Sequence, residues 1–190
     1  MSLSTFPFTA RYMTTFPMPK HNIPCVIATT GHSESELDLI KKSAESIPVL
    51  HSGNMSMGVN LLLSLVKKAA EALDGKADIE IIEKHHNKKA DSPSGTARML
   101  AQAADIHAKE NFVYGREGIV GKRGKEIGIH AVRGGTIVGK HDVMFILNSE
   151  VITLSHEAES KMIFAEGAIK AASFLVGKQA GLYSMRDIFA

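Results

Sequence analysis

Residues 81–97 concentrate groups that can move protons or bind an anion. Within it, residues 85–91 contain an adjacent pair of histidines, two lysines and an aspartate, namely His85, His86, Lys88, Lys89 and Asp91. Histidine titrates near neutral pH, where a lysine ammonium is a fixed positive charge. Such a set suits an anionic ligand that must also receive a proton during a reaction. The segment therefore predicts a site for acid–base chemistry on an anion.

The local pattern places these groups between a strand and a helix. Residues 78–83 alternate polar and apolar side chains, as a strand does, and the alanine-rich run 97–108 is typical of a helix. Between them, Ser92, Ser94 and Thr96 supply hydroxyls for a helix cap. Open α/β sheets bind ligands at the carboxyl ends of their strands, and a helix N-terminus attracts anions. We expect the site at this junction.

Three other interpretations of the segment compete with this one. A pair of histidines before a turn is often only a solvated loop, and the Ser-Pro-Ser-Gly-Thr run can be an ordinary helix cap. A zinc site is the third, but adjacent histidines on a strand point to opposite faces. The sequence also has no His-Glu-x-x-His or Cys-x-x-Cys motif, so we predict no metal site. The combination of groups at one junction favours a functional site.

The run Glu83-Lys-His-His-Asn-Lys-Lys-Ala-Asp-Ser-Pro-Ser-Gly-Thr-Ala97 resembles the signature of dihydrodipicolinate reductases (4-hydroxy-tetrahydrodipicolinate reductases) of bacterial lysine and diaminopimelate biosynthesis. The family pattern is Glu-x-His-His-x-x-Lys-x-Asp-Ala-Pro-Ser-Gly-Thr-Ala, so Ser92 replaces an alanine. The resemblance implies reduction of a cyclic imine dicarboxylate to tetrahydrodipicolinate by NADH or NADPH. It also implies that His85 is the proton donor and Lys89 its catalytic companion.

Further residues are assigned by the same resemblance. The substrate carboxylates are expected to bind His86, Lys89, Ser94, Gly95 and Thr96. The run Ile27-Ala-Thr-Thr-Gly31 is similar to the family's Gly-Thr-Thr-Gly cofactor loop, and Ser52–Asn60 is similar to the segment that lies beside the nicotinamide. The expected cofactor-binding residues are Ala28, Thr29, Thr30, Ser52, Gly53, Asn54 and Met55.

Composition restricts the class of protein. The chain of 190 residues is 44% hydrophobic and 22% charged, as ordinary globular proteins are. A formal net charge of +2 with dispersed basic residues argues against a nucleic-acid partner. No apolar run approaches the roughly 18 residues of a membrane helix, so no membrane partner is expected. Cys25 is the only cysteine, which excludes an internal disulfide and agrees with a reducing cytoplasm.

Hydrophobic periodicity predicts alternating strands and helices in the first half. Strands at 23–30 and 48–52 flank a helix that Ser33 caps. A second helix begins near Met55 and carries one apolar face, made of Val59, Leu62, Leu63, Val66, Ala69, Ala70 and Leu73. With the strand at 78–83 the pattern is βαβαβ, which indicates part of a parallel, doubly wound sheet.

The second half is predicted to be richer in strands. Strands at 127–133 and 137–147 are expected to form a hairpin around Gly134-Gly135, with a turn at 148–150 and a further strand at 151–156. Together they would build an antiparallel sheet. A final helix from Phe164 to Val176 is expected to turn one face inward, composed of Ala165, Ala168, Ala172 and Leu175.

The expected fold class is α/β. It comprises a partial doubly wound, Rossmann-like parallel sheet that lacks its first strands, and an α+β substrate domain with a mixed or antiparallel sheet. The expected divisions are a poorly ordered N-terminus outside the family pattern (1–20), a remnant of the dinucleotide-binding domain (21–57), a substrate-binding and oligomerisation domain (58–177), and a C-terminal segment that returns to the cofactor domain (178–190).

The resemblance starts near His21, whereas the family pattern begins earlier with a βαβ unit and a Gly-x-x-Gly-x-Met-Gly loop. Residues 1–20 contain no such loop, so we expect a truncated reading with weakened cofactor binding. The alternatives to an active reductase are then an inactive dicarboxylate-binding remnant and a structural partner of a full-length copy. The family's tetramers assemble through the antiparallel sheet, which implies a homo-oligomer.

Overall fold

A computed structural model describes residues 22–189, so the expectation for residues 1–20 lies outside the described residues. The elements in chain order are β1 (Cys25–Ile27), α1 (Glu34–Ala44), β2 (Pro48–His51), α2 (Met57–Ala72), β3 (Asp78–His85), α3 (Gly95–Ala104), β4 (Phe112–Tyr114), β5 (Ile127–Arg133), β6 (Gly139–Ile146), β7 (Val151–Ala158), α4 (Met162–Phe174), β8 (Gly181–Tyr183) and a short 3-10 helix (Met185–Ile188).

The described residues form two compact units. Those before Gly58 and those after Lys161 make up the first unit, and Gly58–Lys161 make up the second. Helix α4 therefore belongs to the first unit, whereas the sequence expectation extended the second domain to residue 177. Both units combine helices with a sheet, so the expected α/β fold class is confirmed. Among the described residues, no helix has the length and apolarity that crossing a membrane requires.

The sheet of the first unit has three parallel strands among the described residues, in the order β1-β2-β8. Helix α1 begins where predicted because Ser33 and Glu36 form a reciprocal cap. The Glu36 N–H donates to Ser33 Oγ at 3.3 Å, and the Ser33 N–H donates to the Glu36 carboxylate at 2.7 Å. Ile40 of the helix lies in one hydrophobic cluster with Ile27 of β1 and Val49 of β2, so the helix packs against these strands.

The inward face of α4 differs from the prediction. The structure buries Gly167, Ala171 and Leu175, whereas Ala165 is exposed. Gly167 lies directly on the backbone of Met55, and a Cβ at Gly167 would overlap the Met55 carbonyl oxygen. The helix is oriented by this close approach, which periodicity does not reveal because apolar residues occur on most of its surface.

The second unit is built on a mixed five-stranded sheet in the order β4-β5-β3-β6-β7. Strand β3 lies at its centre, parallel to β5 and antiparallel to β6. The prediction that β3 continues the parallel sheet of β1 and β2 is therefore wrong. Strand β4, an edge strand parallel to β5, was not anticipated by any pattern in the sequence.

The predicted hairpin around Gly134-Gly135 is also wrong, because β3 lies between β5 and β6. The turn crosses the end of β3 instead. The Gly134 N–H donates to the His85 carbonyl at 2.9 Å, and the Asn87 N–H donates to the Gly135 carbonyl at 3.2 Å. The predicted turn after β6 is confirmed, since β6 and β7 pair as an antiparallel hairpin.

One face of this sheet is covered by α2 and α3. Helix α2 buries most of its predicted apolar face, namely Val59, Leu62, Leu63, Val66 and Ala70, and α3 contributes Ala97, Leu100, Ala101 and Ala104. These side chains surround Ile81, Val143 and Phe145 of the sheet, each of which is fully buried. Burial of a large apolar side chain contributes about 1.5–3 kcal/mol to the stability of the fold. This core therefore stabilises the sheet whose central strand, β3, carries the polar residues at its carboxyl end.

Candidate active site

The site begins at the carboxyl end of β3, where the inward face changes from apolar to polar. Ile81, Glu83 and His85 are two residues apart and therefore lie on the same face of the strand, and Glu83 is fully buried. A buried carboxylate is tolerated only when hydrogen bonds and an opposite charge compensate for its lost hydration. Glu83 has both.

Arg133 at the end of β5 donates two parallel hydrogen bonds to the Glu83 carboxylate. Its Nη1 and Nη2 lie 2.8 and 2.7 Å from the two carboxylate oxygens. The Ser94 N–H donates to Oε1 at 3.0 Å, and Nδ1–H of His85 donates to Oε2 at 2.5 Å. Burial alone would raise the pKa of the Glu83 carboxyl, but these donors outweigh it and hold that pKa below 4.5. Glu83 is therefore ionised at neutral pH.

The Glu83 carboxylate orients the imidazole of His85. With Nδ1 committed to Glu83, Nε2 is the nitrogen available for proton transfer. The ring lies against Gly139, where a Cβ would come within 3.0 Å of Nε2, so glycine at this position leaves room for the imidazole. Burial lowers the pKa of His85 despite Glu83, and the charges of Lys89 and Arg133 add to the lowering. A protonated His85 is thus a stronger acid than free imidazolium.

The loop after β3 carries Lys89 and is held at several points. The Lys89 ammonium lies 2.7 Å from the Asp91 carboxylate, and this hydrogen bond keeps the pKa of Asp91 below its ordinary value. Arg133 also donates to the Asp91 carbonyl, at 2.7 Å. One arginine therefore positions both the carboxylate behind His85 and the loop that presents Lys89.

The other expected substrate residues lie at the start of α3 and beside it. Ser94 is the buried N-cap, Gly95 is exposed with no atom within 4 Å of the place a Cβ would occupy, and Thr96 begins the first turn. His86 is half-buried, and its Nδ1 is buried without a hydrogen-bond partner among the described residues. These positions leave open space and polar atoms next to a helix N-terminus.

Glu83, Arg133 and His141 also belong to this cluster, although none of them was among the site residues expected from the sequence. His141 on β6 packs edge-on against His85, with ring centroids 5.1 Å apart, and its Nε2 lies 3.1 Å from Ser94 Oγ. A signal for Glu83 was present, because a residue two positions before His85 on a strand shares its face. Nothing local could show that β5 and β6 both flank β3.

The expected cofactor residues lie in the first unit, at the carboxyl ends of β1 and β2. The Ser52 N–H donates to the Ile27 carbonyl at 3.2 Å, which joins the two strand ends. Ala28, Thr30 and Gly53 are exposed there, whereas Ser52 and Met55 are buried and Met55 packs in the core. This edge is where parallel sheets bind nucleotides, so the exposed residues fit a cofactor.

Thr29 and the turn after β2 are held by local hydrogen bonds. His32 Nε2 lies 2.9 Å from Thr29 Oγ1 and 3.0 Å from the Thr29 carbonyl, and its ring stacks edge-on against His51 at 5.3 Å. Ser52 Oγ donates to the Asn54 carbonyl at 2.7 Å. Among residues 22–189, no group of three His, Cys, Asp or Glu side chains could hold a metal ion.

Comparison with known proteins identifies the family. The model for the C-terminus of dihydrodipicolinate reductase matches residues 58–189, and the model for its N-terminus matches residues 8–55. The chain belongs to the dihydrodipicolinate reductase family. It is 55% identical over 172 residues to the 4-hydroxy-tetrahydrodipicolinate reductase of Caldanaerobacter subterraneus subsp. tengcongensis, which covers 89% of this chain and 68% of that protein.

Two further comparisons agree with this family. The 4-hydroxy-tetrahydrodipicolinate reductase of Akkermansia muciniphila is 49% identical over 173 residues, covering 88% of this chain and 70% of that protein. A solved structure, dipicolinate-bound dihydrodipicolinate reductase from Paenisporosarcina sp. TG-14, superposes with a TM-score of 0.72 at 26% identity. That match covers 93% of this chain and 69% of the solved chain. The recognition made from the sequence is confirmed.

The burial of His141 predicts a pH dependence of stability. Burial, with His85 nearby, lowers the pKa of His141 from 6.5 to about 4. Below pH 6.5 the unfolded chain binds a proton that the folded chain does not, so stability is lost as the pH falls towards 4. The full loss from this residue is about 3 kcal/mol, at about 1.4 kcal/mol per pH unit.

Urea unfolding at several pH values between 7 and 5 measures this effect. Because His85 and His156 have lowered pKa values as well, the unmodified chain should show a steeper slope than one residue produces. His141→Gln should make the slope shallower by the contribution of one proton. Equal slopes for the two proteins would contradict the predicted burial of a neutral His141.

Proposed function

We propose that this chain reduces 4-hydroxy-tetrahydrodipicolinate to tetrahydrodipicolinate in lysine and diaminopimelate biosynthesis, as its relatives' names indicate for them. The observation that carries the proposal is the Glu83–His85 pair. The fully buried Glu83 carboxylate lies 2.5 Å from Nδ1 of His85, which leaves Nε2 as the nitrogen that can donate a proton. This is the arrangement that protonation of a bound anion requires.

The substrate carboxylates are assigned to His86, Lys89, Ser94, Gly95 and Thr96. A helix N-terminus and an ammonium group favour negative charge, and the open space beside Gly95 admits a ligand. The solved relative is described as dipicolinate-bound, which supports a small cyclic dicarboxylate as the ligand class. Two carboxylates on one ring would need several donors on one side of the site, and this loop and helix supply them.

His85 and Lys89 carry the proposed acid chemistry. A pyridine nucleotide, NADH or NADPH, supplies a hydride when bound. Addition of a hydride to a conjugated imine leaves an electron pair that must accept a proton. His85 Nε2–H is the proposed donor of that proton, and Glu83 stabilises the imidazolium before the transfer. Lys89 stabilises the negative charge that develops during the reaction, and it also offsets the negative charge of the substrate carboxylates.

The cofactor is assigned to the turns after β1 and β2. Thr29, Thr30 and the run Ser52–Met55 lie at strand ends of a parallel sheet, with Ala28 and Gly53 exposed beside them. Ser52 and Met55 are buried and would support the shape of the turn from beneath. Titration of the chain with NADH and with NADPH in turn measures its preference between the two nucleotides.

The five-stranded sheet offers a surface for assembly with further copies of the chain. The outer face of the five-stranded sheet, which carries the exposed residues Val132 and Val151, lies opposite the face that α2 and α3 cover. The same face carries the ion pairs Lys84–Asp142 and Lys140–Glu157, so it mixes apolar and charged groups as subunit interfaces do, and we assign it to a homotetramer in the cytoplasm. Sedimentation equilibrium of the purified chain tests the assembly.

Calorimetric titration tests the function. The purified chain should bind pyridine-2,6-dicarboxylate, and then NADH or NADPH, after which a turnover assay follows. Binding of the dicarboxylate without either nucleotide would favour the alternative of a dicarboxylate-binding remnant without reductase activity. A folded chain that binds neither ligand would overturn the proposal and leave the structural, co-assembling role.

A further inference from the structure

Ser94 combines the roles of helix cap and substrate residue, and its hydroxyl oxygen has two close neighbours. The Ala97 N–H donates to Ser94 Oγ at 3.1 Å, and Nε2 of His141 lies 3.1 Å from the same oxygen. The Ser94 backbone is engaged as well, because its N–H donates to Glu83 and its carbonyl accepts from the Arg98 N–H. The direction of the hydroxyl hydrogen therefore depends on His141.

The tautomer of His141 decides that direction. His141 is 4% exposed, and its Nδ1 is buried without a hydrogen-bond partner among the described residues. A hydrogen on Nδ1 would be a buried donor with no acceptor, which is costlier than an unpaired lone pair. The low pKa of this imidazole leaves it neutral at pH 7, with a single hydrogen to place. That hydrogen belongs on Nε2.

We propose that His141 is a positioning residue for substrate recognition: its Nε2–H donates to Ser94 Oγ and turns the Ser94 hydroxyl hydrogen towards a carboxylate of the bound dicarboxylate. The Ala97 N–H and His141 then occupy both lone pairs of the oxygen, so the hydroxyl acts only as a donor. A hydroxyl restricted to donation suits an anion. The inference rests on the proposed function, which places a dicarboxylate at the start of α3.

A neutral His141 also fits the proposed acid at His85. The two imidazole rings lie edge-on with centroids 5.1 Å apart. A second imidazolium at that distance would repel the protonated form of His85 and reduce its population. His141 can therefore orient Ser94 without disturbing the proton donor, provided that its hydrogen stays on Nε2.

The tautomer can be measured directly in the ligand-free chain. A long-range proton–nitrogen spectrum at pH 7 should show His141 with a protonated Nε2 and an unprotonated Nδ1. A protonated Nδ1, or an imidazolium, would overturn the inference. This measurement needs neither substrate nor turnover.

A double-mutant cycle tests the link to the ligand. His141→Leu and Ser94→Ala should each weaken binding of pyridine-2,6-dicarboxylate about tenfold, the effect of one lost hydrogen bond to a charged group. The double variant should bind as Ser94→Ala does, because His141 acts only through that hydroxyl. His141→Gln, whose amide N–H can replace Nε2–H, should retain most of the affinity. Additive losses, or equal losses for Gln and Leu, would refute the inference.

His156→Leu is the matched control. His156 lies opposite His141 on β7 and makes no hydrogen bond to Ser94 among the described residues, so this variant should bind the dicarboxylate normally. Circular dichroism checks the fold of each variant, and if His141→Leu fails to fold, the comparison of His141→Gln with Ser94→Ala decides. If the unmodified chain does not bind the dicarboxylate, the proposed function is overturned, and so is the claim that Ser94 donates to a ligand carboxylate. If the unmodified chain binds normally but the losses of affinity in His141→Leu and Ser94→Ala add up in the double variant, only the role proposed for His141 is overturned.

Discussion

Lys89→Ala is expected to lower the turnover number by about a hundredfold to ten-thousandfold, the range for loss of a group that assists proton transfer. The physical reason is that hydride addition builds negative charge which the ammonium, held 2.7 Å from Asp91, stabilises. The variant should also bind pyridine-2,6-dicarboxylate more weakly, since the ammonium group that we assign to the substrate carboxylates is gone. Nucleotide oxidation under saturating substrate measures the first effect, and calorimetry measures the second.

Lys88→Ala is the control for this experiment. Lys88 is exposed, adjacent in sequence, and carries the same charge, so its removal changes the net charge equally. It should leave both turnover and dicarboxylate affinity close to those of the unmodified chain. A Lys89→Ala variant with unchanged turnover would remove Lys89 from the mechanism. Equal losses in both variants would indicate a general charge effect instead of a specific role.

Arg133→Met is expected to lower the free energy of unfolding by about 3–5 kcal/mol, as loss of one partner of a buried ion pair does. The guanidinium donates to both oxygens of a fully buried Glu83 and to the Asp91 carbonyl. Without it, the carboxylate keeps only His85 and the Ser94 N–H. Urea unfolding at neutral pH measures the loss. The deficit should shrink in acid, because protonation of Glu83 removes the uncompensated charge.

The double variant Glu83→Gln/Arg133→Met should be more stable than Arg133→Met alone, since neither charge then remains buried without its partner. Lys41→Met is the control, because the ion pair of Lys41 with Asp38 is exposed and such pairs contribute little. If Arg133→Met unfolds as easily as Lys41→Met, the buried network does not stabilise the fold. That result would also weaken the claim that Glu83 orients His85.

Local patterns predicted the elements around the site because each depends on neighbouring residues alone. The cap at Ser33 and the apolar face of α2 follow from hydrogen bonds and periodicities within one segment. So do the strand and helix predicted at 78–83 and 97–108, although the strand extends to His85 and the helix runs from Gly95 to Ala104. The motif between β3 and α3 is also continuous in sequence. For that reason the sequence identified both the family and the junction that carries the proposed acid.

Strand order could not be predicted in this way. A strand's alternation shows which residues share a face, yet it does not show which strands lie on either side. The turn at Gly134-Gly135 looked like a hairpin because its flanking residues favour strands, and nothing local revealed that β3 lies between them. The inward face of α4 was misjudged for a related reason. Its orientation depends on contact between Gly167 and the distant Met55.

The sequence by itself determined the family, the fold class, and the residues His85, Lys89 and Ser94 as the expected centre of the chemistry. Only the tertiary structure showed that Arg133 of β5 and His141 of β6 meet them, and that Glu83 is fully buried between these strands. The reason is physical. A buried charge is stable only where several distant segments converge to bond it, and that convergence is a property of the folded sheet.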